Sequence, residues 1–166
     1  MSQGAVSSPT DTPPVSGVPS PPATEPVHIS LFDAVGGSQF FWSVVDRFYD
    51  GVEHDPLLKP LYPEDLTDAR RHTALFLVQY WGGPATYSEE RGHPRLRMRH
   101  LPFAIGPAER DAWLGLMMAA IDATLAEAPL ESLLRHPTDG AAITDSARSM
   151  FADYFEQASS AMINQP

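Results

Sequence analysis

Apolar residues recur every three to four positions in four stretches of this chain, and no stretch alternates apolar with polar residues as a half-buried strand would. In the first stretch Phe40, Phe41, Val44, Val45, Phe48, Tyr49 and Val52 form one face of a helix predicted over Ser38 to Val52, with Gly36-Gly37 at its start. Ahead of it, Ser30 can cap one or two helical turns over 30–35, with Asp33 three residues on. The second stretch, Leu66 to Trp81, turns Ala69, Thr73, Phe76, Leu77 and Tyr80 to one side and is stopped by Gly82-Gly83-Pro84. Ala85 to Pro94 has no periodicity and reads as irregular. Pro107 suits the first turn of a third helix, where Glu109 and Asp111 favour the positive end of the dipole. That helix is predicted to bury Trp113, Leu114, Leu116, Met117, Ala120, Ile121 and Leu125 and to end before Pro129. The fourth, Ala141 to Ile163, presents Ile143, Ala147, Met150, Phe151, Tyr154, Phe155, Ala158 and Met162. The predicted fold is all-α, with four main helices and two or three short ones.

Residues 1–27 break this pattern. They hold seven of the 17 prolines, two charged residues (Asp11 and Glu25) and no aromatic residue. Such a stretch cannot bury enough apolar surface to offset the entropy of ordering it, so it reads as a disordered leader ahead of one folded domain over 28–166. The chain's 166 residues suit one core. With 21 acidic and 11 basic side chains its formal charge is -10, which opposes nucleic acid and anionic membranes as partners. No apolar run is long enough to span a bilayer and the N-terminus has no secretory pattern, so a cytoplasmic location is expected. The absence of cysteine removes disulfides, iron–sulfur clusters and thiol nucleophiles, and leaves histidine, carboxylates and aromatics for any chemistry.

The densest chemical cluster is Arg91-Gly92-His93-Pro94-Arg95-Leu96-Arg97-Met98-Arg99-His100, with four of the 11 basic residues in ten positions. It reads either as a solvated loop balancing Glu89 and Glu90 or as an anion site. No aromatic residue is interleaved as a base-stacking platform, which disfavours nucleic acid. His100, followed by Leu101-Pro102-Phe103, falls at the end of a short helix beside apolar helices. An imidazole in an apolar pocket near arginines suits a haem, whose iron takes a nitrogen ligand and whose carboxylates attract cations. Tyr49, Tyr62 and Trp113 each combine an apolar body with one hydrogen-bond donor; they are either core residues with satisfied tips or a donor set facing such a cofactor. The carboxylate pairs Glu64-Asp65, Glu89-Glu90 and Glu109/Asp111 sit at turns and helix starts, where capping explains them. No nucleophile elbow, phosphate loop or dinucleotide fingerprint is present.

Several stretches together resemble the group II truncated haemoglobins, the two-over-two globins common in actinobacteria. They are Leu31 to Gly37, Arg47-Phe48-Tyr49, Leu61 to Asp65, Gln79 to Ser88, Arg91 to His100, Pro102-Phe103 and Glu109 to Trp113. The resemblance implies a two-over-two helical sandwich around haem b, with His100 as the proximal iron ligand and Tyr49, Tyr62 and Trp113 bonding the distal ligand. Arg97, Arg99, Phe76, Leu77, Met98 and Phe103 are the further residues expected to contact the haem. Ala69 falls at the distal gate, where its small side chain would leave the iron open. Thr73, on the distal helix, stands where members of the family usually carry an apolar residue; its hydroxyl either adds a hydrogen bond to the distal ligand or, as is expected, bonds back to the helix carbonyl one turn earlier. His72 is either a surface residue or a partner for a haem carboxylate. The segment 128–140 departs from the family pattern.

The expected function is reversible binding of O2, NO and CO, with O2-dependent NO oxidation or peroxide reduction as redox uses that would need a reductase as electron donor. The resemblance is compatible with a homodimer. Two other classes stay in view: a haem-based sensor or redox module acting through a protein partner, and a cofactor-free helical interaction domain.

Overall fold

All seven residues predicted to line the first long helix are buried, from Phe40 at 4% exposed to Val45 at 0%, in the computed structural model, which describes residues 30–128 and 139–166. The leader over 1–27 and most of 128–140 lie outside the described residues. In chain order the helices are α1 (Leu31–Ala34), α2 (Ser38–His54), a 3-10 turn (Lys59–Leu61), α3 (Thr67–Tyr80), α4 (Thr86–Arg91), α5 (Leu96–His100), α6 (Pro107–Glu127) and α7 (Asp139–Met162). The fold is that of an all-α truncated globin. Helix α2 packs against α3 and α6, and α6 against α7. Among the described residues no helix is long and apolar enough to cross a membrane.

The short elements have local causes. Ser30 caps α1, its hydroxyl accepting the Asp33 N–H at 3.1 Å and donating to the Asp33 carboxylate at 2.7 Å. Between α1 and α2, Gly36 and Gly37 take φ of 101° and 71°, a region L side chains rarely enter. After α3, Gly83 lets the chain fold onto α1: a Cβ there would lie 2.6 Å from the Phe32 ring and 2.7 Å from Val78. At the start of α6, Glu109 reaches back to accept the Gly106 N–H at 2.8 Å, half of a capping box. Aromatic rings join the layers. Phe40 stacks on Phe151 of α7 at 5.6 Å, and Phe41 meets the same ring edge-on at 6.1 Å.

Five expectations are corrected. Helix α2 runs two residues past Val52, to His54. The segment expected to be irregular holds α4, because the Gln79 side chain brackets Ser88, donating to its hydroxyl at 2.7 Å and accepting its N–H at 2.9 Å. That tertiary contact supplies what six residues with one buried side chain, Tyr87, could not supply alone. The buried face of α3 is Ala74, Leu77 and Val78, while Tyr80 is 51% exposed. On α7, Met150 is 49% exposed and the buried side is Ala147, Phe151, Phe155 and Ser159. Within α6 the buried set includes Thr124, whose hydroxyl donates to the Ala120 carbonyl at 2.7 Å; Trp113, Leu114 and Leu116 are only partly buried.

Candidate functional site

Helix α5 has five residues and begins after Arg95, a non-glycine residue at φ 44°. So short a helix cannot hold itself, and side chains brace it. Arg99 donates to the Pro94 carbonyl at 2.8 Å and the Arg91 carbonyl at 3.2 Å, and the His93 imidazole accepts the Arg95 N–H at 3.2 Å. His100 Nδ1 lies 2.7 Å from the Leu96 carbonyl oxygen. A carbonyl can only accept, so Nδ1 carries the proton and Nε2 keeps its lone pair.

His100 lines a cleft with about 980 Å³ of empty space, its open mouth included. Leu96 and Ile105 flank it, α3 contributes Thr73 and Phe76, α2 contributes Phe48 and Tyr49, and the Pro-rich corner contributes Leu58, Leu61 and Tyr62. Trp113 and Met117 of α6, with Phe155, Ala158 and Met162 of α7, complete the apolar wall. The three polar aromatics singled out from sequence share this space, with Tyr154 as a fourth. The Tyr49 and Tyr62 rings meet edge-on at 5.6 Å, and Trp113 tilts against Phe48 at 5.3 Å.

The hydroxyl bonds are specific. Tyr49 Oη pairs with Thr73 Oγ1 at 2.9 Å; this corrects the expectation that the threonine would bond back along its own helix. Burial pushes the Tyr49 phenol above its ordinary pKa, with Thr73 and Arg70 pulling the other way. Arg70 lies 5.7 Å above the Tyr49 ring and donates to the Asp46 carbonyl and the Asp50 carboxylate at 2.8 Å, pinning α3 to α2 at the edge of the cavity. The Tyr62 phenol is also raised, first by burial and then by Tyr49, and the neighbouring Trp113 side chain opposes the rise. The Trp113 indole can only donate, so it adds a second donor beside the Tyr62 hydroxyl in the cavity. Both phenols stay protonated donors at neutral pH.

Of the residues singled out from sequence, His100, Tyr49, Tyr62, Trp113, Thr73 and Phe76 meet in the cavity. The others lie elsewhere. Leu77 is in the core at 2% exposed, Ala69 packs against that core, and Arg97, Met98, Arg99 and Phe103 are exposed, Met98 at 61%. His72 lies beside Arg91, 3.0 Å from its guanidinium, and its pKa is lowered by burial and then by Arg91. Sequence reasoning missed Glu109 and Arg110, which line the cavity. Arg110 donates to Ser160 at 2.8 Å and to Asp111 at 2.7 Å, and its Nε is buried without a partner. The only sequence signal for them was a charged pair in the first turn of a helix, which capping already explained.

Among the described residues no cluster of three histidine or carboxylate side chains could hold a bare metal ion. A single imidazole with a free Nε2, in an apolar cleft with phenol and indole donors, instead suits a flat apolar macrocycle that brings its own metal. These residues therefore fit a haem.

Comparison with known proteins agrees with this class. The model of the bacterial-like globin family matches residues 30–145. Over 91 residues, 55% of this chain and 68% of the relative, the sequence is 50% identical to the group 2 truncated hemoglobin YjbI of Bacillus subtilis. It is 33% identical over 96 residues to the two-on-two hemoglobin-3 of Arabidopsis thaliana, covering 56% of this chain and about half, 54%, of that protein. The hemoglobin of Chloroflexus aurantiacus superimposes with a TM-score of 0.71 at 46% identity, covering 83% of this chain and 100% of the other. The thermostable hemoglobin of Thermobifida fusca gives 0.70 at 44%, covering 83% and 99%. The chain belongs to the bacterial-like globins, as a group II truncated haemoglobin with the two-on-two fold. Membership implies haem as the cofactor and diatomic gases as ligands.

Proposed function

We propose that this chain binds haem b through Nε2 of His100 and retains O2, NO or CO by hydrogen bonds from Tyr49, Tyr62 and Trp113. The observation that carries the reading is the His100 Nδ1 bond to Leu96 at 2.7 Å, which leaves Nε2 unprotonated in a cavity shared with those three side chains. When bound, the haem iron supplies reversible coordination of a diatomic gas and, with an electron donor, redox chemistry on it.

The residues set the terms. The Leu96 carbonyl orients the His100 ring and fixes its tautomer. Phe48, Phe76, Met117 and Phe155 exclude water, so each donor is worth more than it would be in solvent. Trp113 and Tyr62 line the same cavity, and each offers one donor to a ligand. Thr73 and Phe76 are the α3 side chains facing the cavity and Ala69 carries no donor atom, so α3 offers no internal ligand to compete with the gas. Arg97, exposed on α5, is the cation we assign to a haem carboxylate; Arg99 is engaged with the backbone of its own loop.

Two neutral hydrogen bonds of about 1 kcal/mol each slow gas release roughly 30-fold. Slow release suits chemistry on the gas better than bulk delivery, and one solved relative, from Bacillus subtilis, is described as oxygen-avid. The redox uses we favour are combination of NO with O2 to nitrate, taking one electron from a reductase, and reduction of peroxide. The first test is the visible spectrum of the ferric, dithionite-reduced and CO-exposed protein beside His100→Ala. A Soret band that shifts with CO and is weakened or displaced by the substitution is expected. A wild-type protein with no Soret band after haem reconstitution refutes the reading.

A further inference from the structure

The end of α7 reaches back to the His100 turn through one side chain, and nothing in the gas-binding site described above uses it. Asn164 Nδ2 donates to the His100 carbonyl at 3.3 Å and to the Phe103 carbonyl at 2.8 Å, and Oδ1 accepts the Ile105 N–H at 3.1 Å. Its backbone N–H donates to the Ile105 carbonyl at 2.9 Å, an oxygen that also accepts the Gln165 N–H at 3.1 Å. The amide can sit only one way round, because its nitrogen faces two carbonyls and its oxygen faces an N–H.

The turn it grips needs an outside partner. Helix α5 ends at His100, and Pro102 has no N–H to give to the carbonyls before it. Within the turn the Phe103 N–H reaches the His100 carbonyl at 3.1 Å, and beyond that Asn164 supplies the remaining donors. The carbonyl it holds at the near end belongs to the residue whose imidazole faces the cavity.

We propose that Asn164 is a positioning residue for His100: by pinning the carbonyls on either side of the Leu101-Pro102 turn to the end of α7, it sets the pitch of the imidazole and hence the strength of its bond to iron. The role rests on the haem reading, and the experiment separates the two. Asn164→Asp is nearly isosteric; it keeps the acceptor for Ile105 N–H and loses both donors to the His100 and Phe103 carbonyls. Asn164→Ala loses all three bonds.

Amide exchange at Ile105 and, after reduction, the iron–imidazole stretching band by resonance Raman are both measured in the haem-loaded full chain, for wild type and both variants. Expected are Ile105 exchange faster by roughly tenfold in Asn164→Ala but near wild type in Asn164→Asp, and a shifted or broadened iron–imidazole band in both. A band unmoved in Asn164→Asp, with the wild-type band present, overturns the positioning role and leaves Asn164 as a fastening for the tail. A wild-type protein without the band refutes His100 as the iron ligand, and the positioning role falls with it; the exchange result still reports whether Asn164 holds the turn. Global weakening alone would speed exchange throughout α6 and α7 in both variants and would likewise overturn the specific role.

Discussion

Replacing Thr73 with valine should make this protein hold dioxygen longer. The two hydroxyls at 2.9 Å can be wired in either direction, but a phenol is the stronger acid and an aliphatic hydroxyl the better acceptor, so the Tyr49 proton rests on Thr73. A gas that uses Tyr49 must first take that proton away. Valine has the same shape and no oxygen, so it leaves a phenol that is 3% exposed without its partner in the ligand-free state. An unpaired buried hydroxyl costs about 1–3 kcal/mol, and a ligand that accepts its proton recovers part of that cost. Taking about 1 kcal/mol as the recovered part, O2 dissociation slows roughly fivefold, while the ligand-free protein loses stability by a similar amount. Stopped-flow displacement of O2 by CO measures the rate, and urea unfolding the stability. CO accepts hydrogen bonds poorly, so its own release should change less than about twofold. In the Tyr49→Phe background the valine substitution should have no effect on O2. Unchanged or faster O2 release in Thr73→Val, or an equal effect with Tyr49 absent, would refute the argument.

Trp113→Phe removes one of the three donors at the cavity and should speed O2 release roughly fivefold, as should Tyr62→Phe; unchanged rates in both would dismiss the donor set. Burial raises the phenol pKa values of Tyr49 and Tyr62 above the ordinary 10.0, so above pH 10 the unfolded chain gives up protons that the folded chain keeps. The unfolded state then binds fewer protons, and stability falls as pH rises, by up to about 1.4 kcal/mol per pH unit for each tyrosine; urea midpoints at pH 9 and pH 11 should differ in that direction. Gly83→Ala places a Cβ 2.6 Å from the Phe32 ring and should cost about 1–3 kcal/mol, whereas Gly115→Ala, in the middle of α6 with nothing within 4 Å, should stabilise by about 0.5–1 kcal/mol. Thermal unfolding of the pair checks the contrast.

Helix existence was legible in the sequence wherever burial is one-sided and long. The inward face of α2 could be read residue by residue because an amphipathic 17-residue helix repeats its signal over several turns. The cap at Ser30, the helix start at Pro107 and the glycine turns were legible for the same reason, since their causes lie within a few residues. Of the site, the residue types could be listed from the Arg91 to His100 run and the three polar aromatics, but their assembly could not. Periodicity assigned Tyr80 and Met150 to the core because it cannot weigh one helix face against its neighbours; the partners decide which side is covered. Helix α4 exists through the Gln79 bracket, the Tyr49–Thr73 pair joins two helices 24 positions apart, and Asn164 meets His100 across 64 positions. The sequence by itself determined an all-α chain with six histidines, five tyrosines and no cysteine. Only tertiary packing decided which of those groups share one cavity and which proton each one holds, because a hydrogen bond is set by distance and direction and neither is written in local order along the chain.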